Sequence, residues 1–328
     1  MFLRFFRSSF ATQYLVIGVT GLLLWGKAFV FPAMMPPPEG PVPLYSLIFS
    51  ELAAFPRIAT VIGFIIALCS AFVANYILVR NEIISKNSSL AGFLFIIFIS
   101  FFPALLILNP AGIVLLLLLL IVNSLFDSYN KSESPDLIYL SGFLVGIGSF
   151  IYFPFLAFYG FILVALVLFR SSNWREWLSS LIGLATPYVF LAVWYFWFDE
   201  LIPRSLAFVH SFRIYLAEDL SREPAFLLLS GFIVFLMISG WLNSVARLSE
   251  KTIEIRKKTI ILNWLVLFVI VSFAFGFKLQ TYHSLLVAGS SAILMAIYLL
   301  QLKKSLWQEA VIILLLLSIL ISNYLVSG

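Results

Sequence analysis

The sequence predicts an all-α polytopic integral membrane protein, and three observations predict it. Hydrophobic residues make up 62% of the 328 and charged residues only 11%, with a mean hydropathy of +1.10. A water-soluble globule of this length has no interior large enough for that much apolar surface, so much of it faces lipid. Uncharged runs such as Ile113–Val122, Phe143–Phe169 and Val311–Leu320 recur along the chain. A bilayer core needs roughly 20 apolar residues per helical crossing. The third observation is that these runs do not alternate apolar with polar, as the strands of a membrane barrel would. Helices satisfy their own amides where lipid offers no partner.

Eleven crossings follow in order. The first, Tyr14–Phe31, comes after Arg4 and Arg7 and has no small-residue cleavage site, so it reads as an uncleaved helix with a cytoplasmic N-terminus. The others fall at Ile58–Val79, Leu90–Ile107, Ala111–Phe126, Leu137–Phe153, Pro154–Phe169, Trp177–Phe198, Ala225–Val245, Thr259–Phe275, Ser284–Leu300 and Ala310–Leu325. The stretch Leu137–Phe169 is either two short helices broken near Pro154 or one long tilted one. Basic residues decide for two. Only then do Arg4/Arg7, Arg80/Lys86, Lys131, Arg170/Arg175, Arg247–Lys258 and Lys303/Lys304, which hold most of the 20 Lys and Arg, share the cytoplasmic side. The net charge of +5 therefore reads as topology, with no nucleic-acid partner.

No repeat or soluble module interrupts the pattern, and residues 1–328 read as one transmembrane domain. The single cysteine, Cys69, lies in an apolar run and reads as a packing residue. Two outer loops exceed simple connectors, at about residues 32–57 and 199–224. In the first, a stiff proline-rich stretch, Pro36–Pro43, leads into Leu44–Phe55, whose periodicity puts Leu44, Ile48, Leu52 and Phe55 on one face and Ser46 and Ser50 opposite. Such a helix lies in the membrane interface. Glu51 falls within its apolar arc, where a carboxylate needs a polar partner. It either snorkels or pairs with Arg57, or else it or Glu39 is a functional carboxylate.

The second loop runs from Asp199 through an expected interfacial helix, Ser205–Glu218, with Phe208, Phe212 and Tyr215 on one stripe. His210 and Arg213, three apart, share a neighbouring face and suit either a solvated rim or a phosphate. A third concentration of donors, Lys278, Gln280, Tyr282 and His283, sits at an outer boundary where a lipid phosphate would lie. No nucleotide-binding, zinc-protease, hydrolase or dithiol motif appears. Two histidines and one cysteine do not make a zinc or haem site. No cofactor is predicted, although carboxylates leave Mg²⁺ or Mn²⁺ open.

The turn Phe273–His283, with Lys278 and Tyr282, resembles the late Lys/Tyr segment of the C superfamily of membrane glycosyltransferases, which use polyprenyl-phosphate-linked sugars. The order of Asn75-Tyr76-Ile77-Leu78-Val79-Arg80, then Asn109-Pro110, then the glycine-rich Leu140–Gly148 is similar to the layout of the same superfamily. The acid pair that the superfamily carries after its first helix is here the isolated Glu39, and its lysine after the glycine-rich helix is absent around Tyr152-Phe153-Pro154. The chain also resembles a group of uncharacterised bacterial inner-membrane proteins of this length. The first resemblance implies a phosphate held by Lys278, Tyr282 and His283, with Arg213 and His210 assisting, and Glu39 or Glu51 as general base on an acceptor hydroxyl. Membrane lipids, and a polyprenyl-phosphate sugar among them, are then the expected partners. The competing expectations are a non-enzymatic scaffold or accessory subunit of an envelope machine and, third, a transporter. A transporter would place ionisable groups at mid-bilayer, and Lys27 is the one basic residue inside an expected span.

Overall fold

A computed structural model describes residues 12–38, 42–85, 88–129, 131, 133–169, 174–211, 224–273, 280–301 and 305–326. Helices form its framework, and no strand occurs among the described residues. They are α1 (Thr12–Val30), α2 (Pro43–Leu52), α3 (Pro56–Arg80), α4 (Leu90–Ile99), α5 (Pro110–Tyr129), α6 (Pro135–Ile151), α7 (Phe158–Phe169), α8 (Trp174–Trp197), α9 (Leu201–Ser211), α10 (Pro224–Ala246), α11 (Ile253–Ser272), α12 (Ser284–Gln301) and α13 (Ser305–Ile321). Among the described residues six segments are long and apolar enough to cross a membrane: Thr12–Val30, Pro56–Arg80, Pro110–Tyr129, Trp174–Trp197, Phe226–Ala246 and Thr281–Gln301. Leu90–Ile99, Pro135–Ile151, Phe153–Phe169 and Glu309–Tyr324 are apolar but shorter.

The centre of the bundle is α12, buried on nearly every side among α4, α5, α10 and α11, with every residue of α4 buried beside it. The stretch expected to form one helix over Leu90–Ile107 does not. The helix stops at Ile99, and residues 100–108 continue as irregular chain with a single 3-10 turn at Pro103–Leu105. Ser100 caps this end and Pro103 cannot continue the helical ladder, but the apolar run on either side hides the stop. The irregular backbone is packed inside protein, with Leu108 N donating to the Ala59 carbonyl at 3.2 Å across Gly63. A Cβ at Gly63 would collide with Leu108 N, so only glycine admits this approach. Asn109 then starts α5, its Oδ1 accepting from Gly112 N at 2.8 Å, with Pro110 at the first helical position.

The glycine-rich helix α6 packs on α8 more closely than any other pair. An added Cβ at Gly142 would overlap the Ser180 carbonyl oxygen, and one at Gly183 the Tyr139 carbonyl oxygen. Small residues four apart, Gly142 and Gly146, thus let the two backbones touch, which is how helices associate where apolar burial alone gives no drive. Cross-links follow along the seam: Tyr139 Oη donates to Thr186 Oγ1 at 3.1 Å, and Ser149 and Tyr188 hydroxyls meet at 2.8 Å. The rest of α8 is the most exposed of the long helices, presenting Phe190, Trp194 and Trp197 outward.

The last turn of the chain closes on the first helix. After α13, a π-helical turn over Ser322–Val326 brings Asn323 Nδ2 to the carbonyls of Ser100, at 3.0 Å, and Leu24, at 3.4 Å. Tyr324 Oη donates to Leu23 O at 2.6 Å over Gly26. Trp25 Nε1 completes the contact by donating to Ser100 Oγ at 2.9 Å.

Candidate functional site

Two polar clusters lie at opposite ends of α11, about 20 Å apart by helical rise. The first is built where α6 ends. The Phe155 ring lies against Gly148, leaving no room there for a side chain, and the chain leaves the helix at Tyr152 in an extended conformation (φ −147°, ψ 104°) before the 3-10 turn Phe153–Ala157. The break comes beside Pro154, where sequence expects it. Tyr152 Oη thereby meets His283 Nδ1, the side chain that ends the 3-10 turn Thr281–His283. On the other edge of the imidazole, Nε2 lies 3.1 Å from Ser272 Oγ, at the last residue of α11.

The direction of these bonds follows from Ser272. Its single hydroxyl hydrogen points to the Val269 carbonyl at 2.7 Å, so Ser272 Oγ accepts from the ring. In the neutral imidazole the hydrogen then sits on Nε2, and Nδ1 accepts from Tyr152. The result is a one-way relay, Tyr152 to His283 to Ser272 to Val269, ending on a main-chain carbonyl. Phe273 packs edge-on to the imidazole at 3.9 Å between centroids, and Tyr282 packs edge-on to Tyr152 at 5.6 Å. His283 is 1% exposed and Tyr282 7%. The relay positions the turn; it does not present the imidazole to solvent.

Of the other expected site residues, Glu51 is exposed on α2 and makes no ion pair with Arg57. The buried anchor of α2 is instead Tyr45, 1% exposed, whose phenol donates to Pro36 O at 2.8 Å and is pushed up in pKa by burial. Leu44, Ile48, Phe49 and Leu52 pack beside it, while Phe55 lies beyond the helix end and is exposed. Glu51, next to exposed Leu47 and Phe55, therefore lies on the side turned from the bundle. Glu39, Arg213 and Lys278 lie outside the described residues, and of His210 only its place in α9 is described. That helix begins at a sharp turn where Asp199 takes φ 57°, a conformation Asp tolerates, and Arg204 pairs with Glu200 at 3.1 Å.

The second cluster was missed in the sequence because its residues looked only like loop-side topology signals. Lys258 is 3% exposed, paired with Glu254 at 2.5 Å and lying over the rings of Phe126 (6.0 Å) and Tyr129 (5.6 Å). Lys257 covers the same Tyr129 ring, and Asp127 on α5 binds Arg80 of α3 at 3.1 Å and Asn123 at 3.1 Å. The one available clue was Asp127, an acid among the last residues of an apolar helix. Nearby, Glu176 in the first turn of α8 is 1% exposed and accepts from Ser134 N at 3.2 Å, at the positive end of α6. Among the described residues no three His, Cys, Asp or Glu gather closely enough to hold a metal ion.

The sequence profile of a family of unknown function (DUF6427) matches residues 44–326, nearly the whole chain. The chain belongs to that family. No curated protein and no solved structure matches it. The profile of DUF6427 takes in both clusters and nearly all of the interfacial helix α2, and it leaves out the whole of α1.

Proposed function

We propose that this chain is a multi-pass protein of a bacterial inner membrane, with about eleven crossings and a cytoplasmic N-terminus, whose outer face handles a lipid-phosphate-linked sugar. Six membrane-length helices, the shorter apolar helices between them and the one-sided basic loops support the topology. One juxtaposition carries the functional reading: α2 of the first outer loop packs on α6, and the end of the same α6 bears Tyr152, which anchors the turn Thr281–His283. The interfacial helix and the turn Thr281–His283 are thus both held by one helix. Glu51, exposed at that face, is free to accept a proton from an acceptor hydroxyl, and Lys278 with Arg213 would neutralise a departing lipid phosphate. Tyr282 and His283, buried as they are, serve this reaction as positioning residues. A second reading, a non-enzymatic scaffold or accessory subunit, draws on the same burial, since a relay that ends on a carbonyl suits a purely structural pole.

Topology is testable by cysteine labelling in a Cys69→Ser background. Cysteines at Ser50 and Ser205 are expected to react with an impermeant maleimide from outside, and one at Glu250 only after permeabilisation. The opposite pattern would sink the orientation. For the activity, Glu51→Gln and Lys278→Ala are expected to change the lipid-linked sugar profile of the native host; unchanged profiles in both leave the scaffold reading standing.

A further inference from the structure

Helices α10 and α11 follow one another in sequence yet barely touch, because α10 packs on α12 instead. The gap between them is a cleft of about 440 Å³, within the roughly 300–1,000 Å³ typical of small-molecule sites. Its walls are apolar, with Trp241 and Trp264 on either side and Leu248 towards the basic end. One polar side chain belongs to it. Asn263, in the middle of α11 and 8% exposed, has no hydrogen-bond partner for either its amide nitrogen or its amide oxygen. Leaving both groups unpaired in an apolar setting is costly, so the arrangement calls for a partner. One helical turn nearer the basic end, about 6 Å by rise, Thr259 accepts from Lys251 Nζ at 3.0 Å. Arg247 and Lys251 flank Leu248 in the turn at this end, Arg247 donating to the Gln301 carbonyl at 3.4 Å, and neither forms an ion pair among the described residues. Burial already pulls the Lys251 ammonium down to about 8, so a nearby anion would favour its charged form.

We infer that the cleft between α10 and α11 binds an anionic phospholipid, with its phosphate at Lys251 and Arg247, its linkage carbonyl accepting from Asn263 Nδ2, and one acyl chain between Trp241 and Trp264. The order of the chemistry matches that of a lipid: cations at the mouth, an amide one turn deeper, hydrocarbon beyond. The inference rests on the membrane reading above but concerns the basic end, away from the outer-face chemistry.

The two tryptophans make it measurable. In vesicles of phosphatidylcholine with a minor fraction of brominated lipid, tryptophan quenching is compared between brominated phosphatidylglycerol and brominated phosphatidylcholine, using full-length protein. Wild type is expected to favour the anionic lipid about fivefold, the preference one cation at a membrane surface confers. Lys251→Ala should abolish the preference, Lys251→Arg should restore it, and Asn263→Leu should weaken it while leaving the protein folded. Trp241→Phe should remove most of the selective signal. Equal quenching by both lipids, or selective quenching that survives Lys251→Ala and Trp241→Phe together, would overturn the inference. Failure of the wild-type protein to float with the vesicles would overturn both this and the membrane reading, whereas normal flotation without selective quenching overturns this one alone.

Discussion

At one end of α11, the His283 cluster is neutral, fully enclosed and directional, each hydrogen bond fixing the next. At the other, the Lys258 cluster is ionic, with Glu254 44% exposed and Arg80 48% exposed. The same helix thus enters one region where charge is absent and another where charge is held at the edge of water. The difference teaches how each end responds to damage. A buried neutral chain loses everything downstream when a link is removed, because its partners cannot reach water. An ion pair with one solvated partner loses less, because the orphaned ion rehydrates.

The largest effect is therefore expected from His283→Leu, which removes the buried ring that links Tyr152 to Ser272 and should cost about 3 kcal/mol in unfolding from mixed micelles. This loss should not depend on salt. Lys258→Ala should cost about 2 kcal/mol, since cation-π contact and aliphatic packing go with the charge. Here roughly 1 M salt, with a Debye length near 3 Å, should shrink the gap to wild type. If both losses proved equally sensitive to salt, the contrast between the ends would fail. Arg80→Ala, removing an exposed pair with Asp127, should cost less than about 1 kcal/mol. A separate effect, read against pH and not by deletion of a contact, concerns Lys251, whose folded-state pKa, near 8, lies below its ordinary 10.5. Between those values the unfolded chain holds a proton that the folded chain has released, so stability should rise as pH climbs from 8 to 10.5. Lys251→Met should flatten that rise in a pH series of thermal unfolding.

Much of this frame is legible in the sequence. Apolar runs, basic loops and prolines locate most helices, and the break beside Pro154 was readable because proline and charge placement agreed. The end of α4 was not, because Phe98, Ile99, Phe101 and Phe102 are equally apolar inside and outside the helix, and the lone Ser100 between them is too weak a signal to place the stop ahead of Pro103. For α2 the helix was readable but its anchor was not: period alone ranks Leu44 and Phe55 with Tyr45, and only the fold shows that the tyrosine reaches Pro36. The site shows the same divide. Tyr282 and His283 stood out as polar residues in an apolar turn, whereas Tyr152, 131 residues away from His283, looked only like a departure from an expected lysine. Pairings across that separation leave no local pattern. The glycines of α6, which read as a family-like signature, have a sufficient physical cause in the carbonyls of Ser180 and Leu184 that lie against them.

The closure of the chain on itself has a consequence for biosynthesis. Helix α1 leaves the ribosome long before its partner, for Asn323, which binds both Leu24 and Ser100, is made 299 residues after Leu24. Through most of translation the face of α1 around Gly26 has no permanent neighbour, and the Ser100 carbonyl waits for its donor. This closure is therefore completed late, and a stop codon a few positions upstream of Asn323 would take these hydrogen bonds from α1 while leaving its packing on α3 and α4.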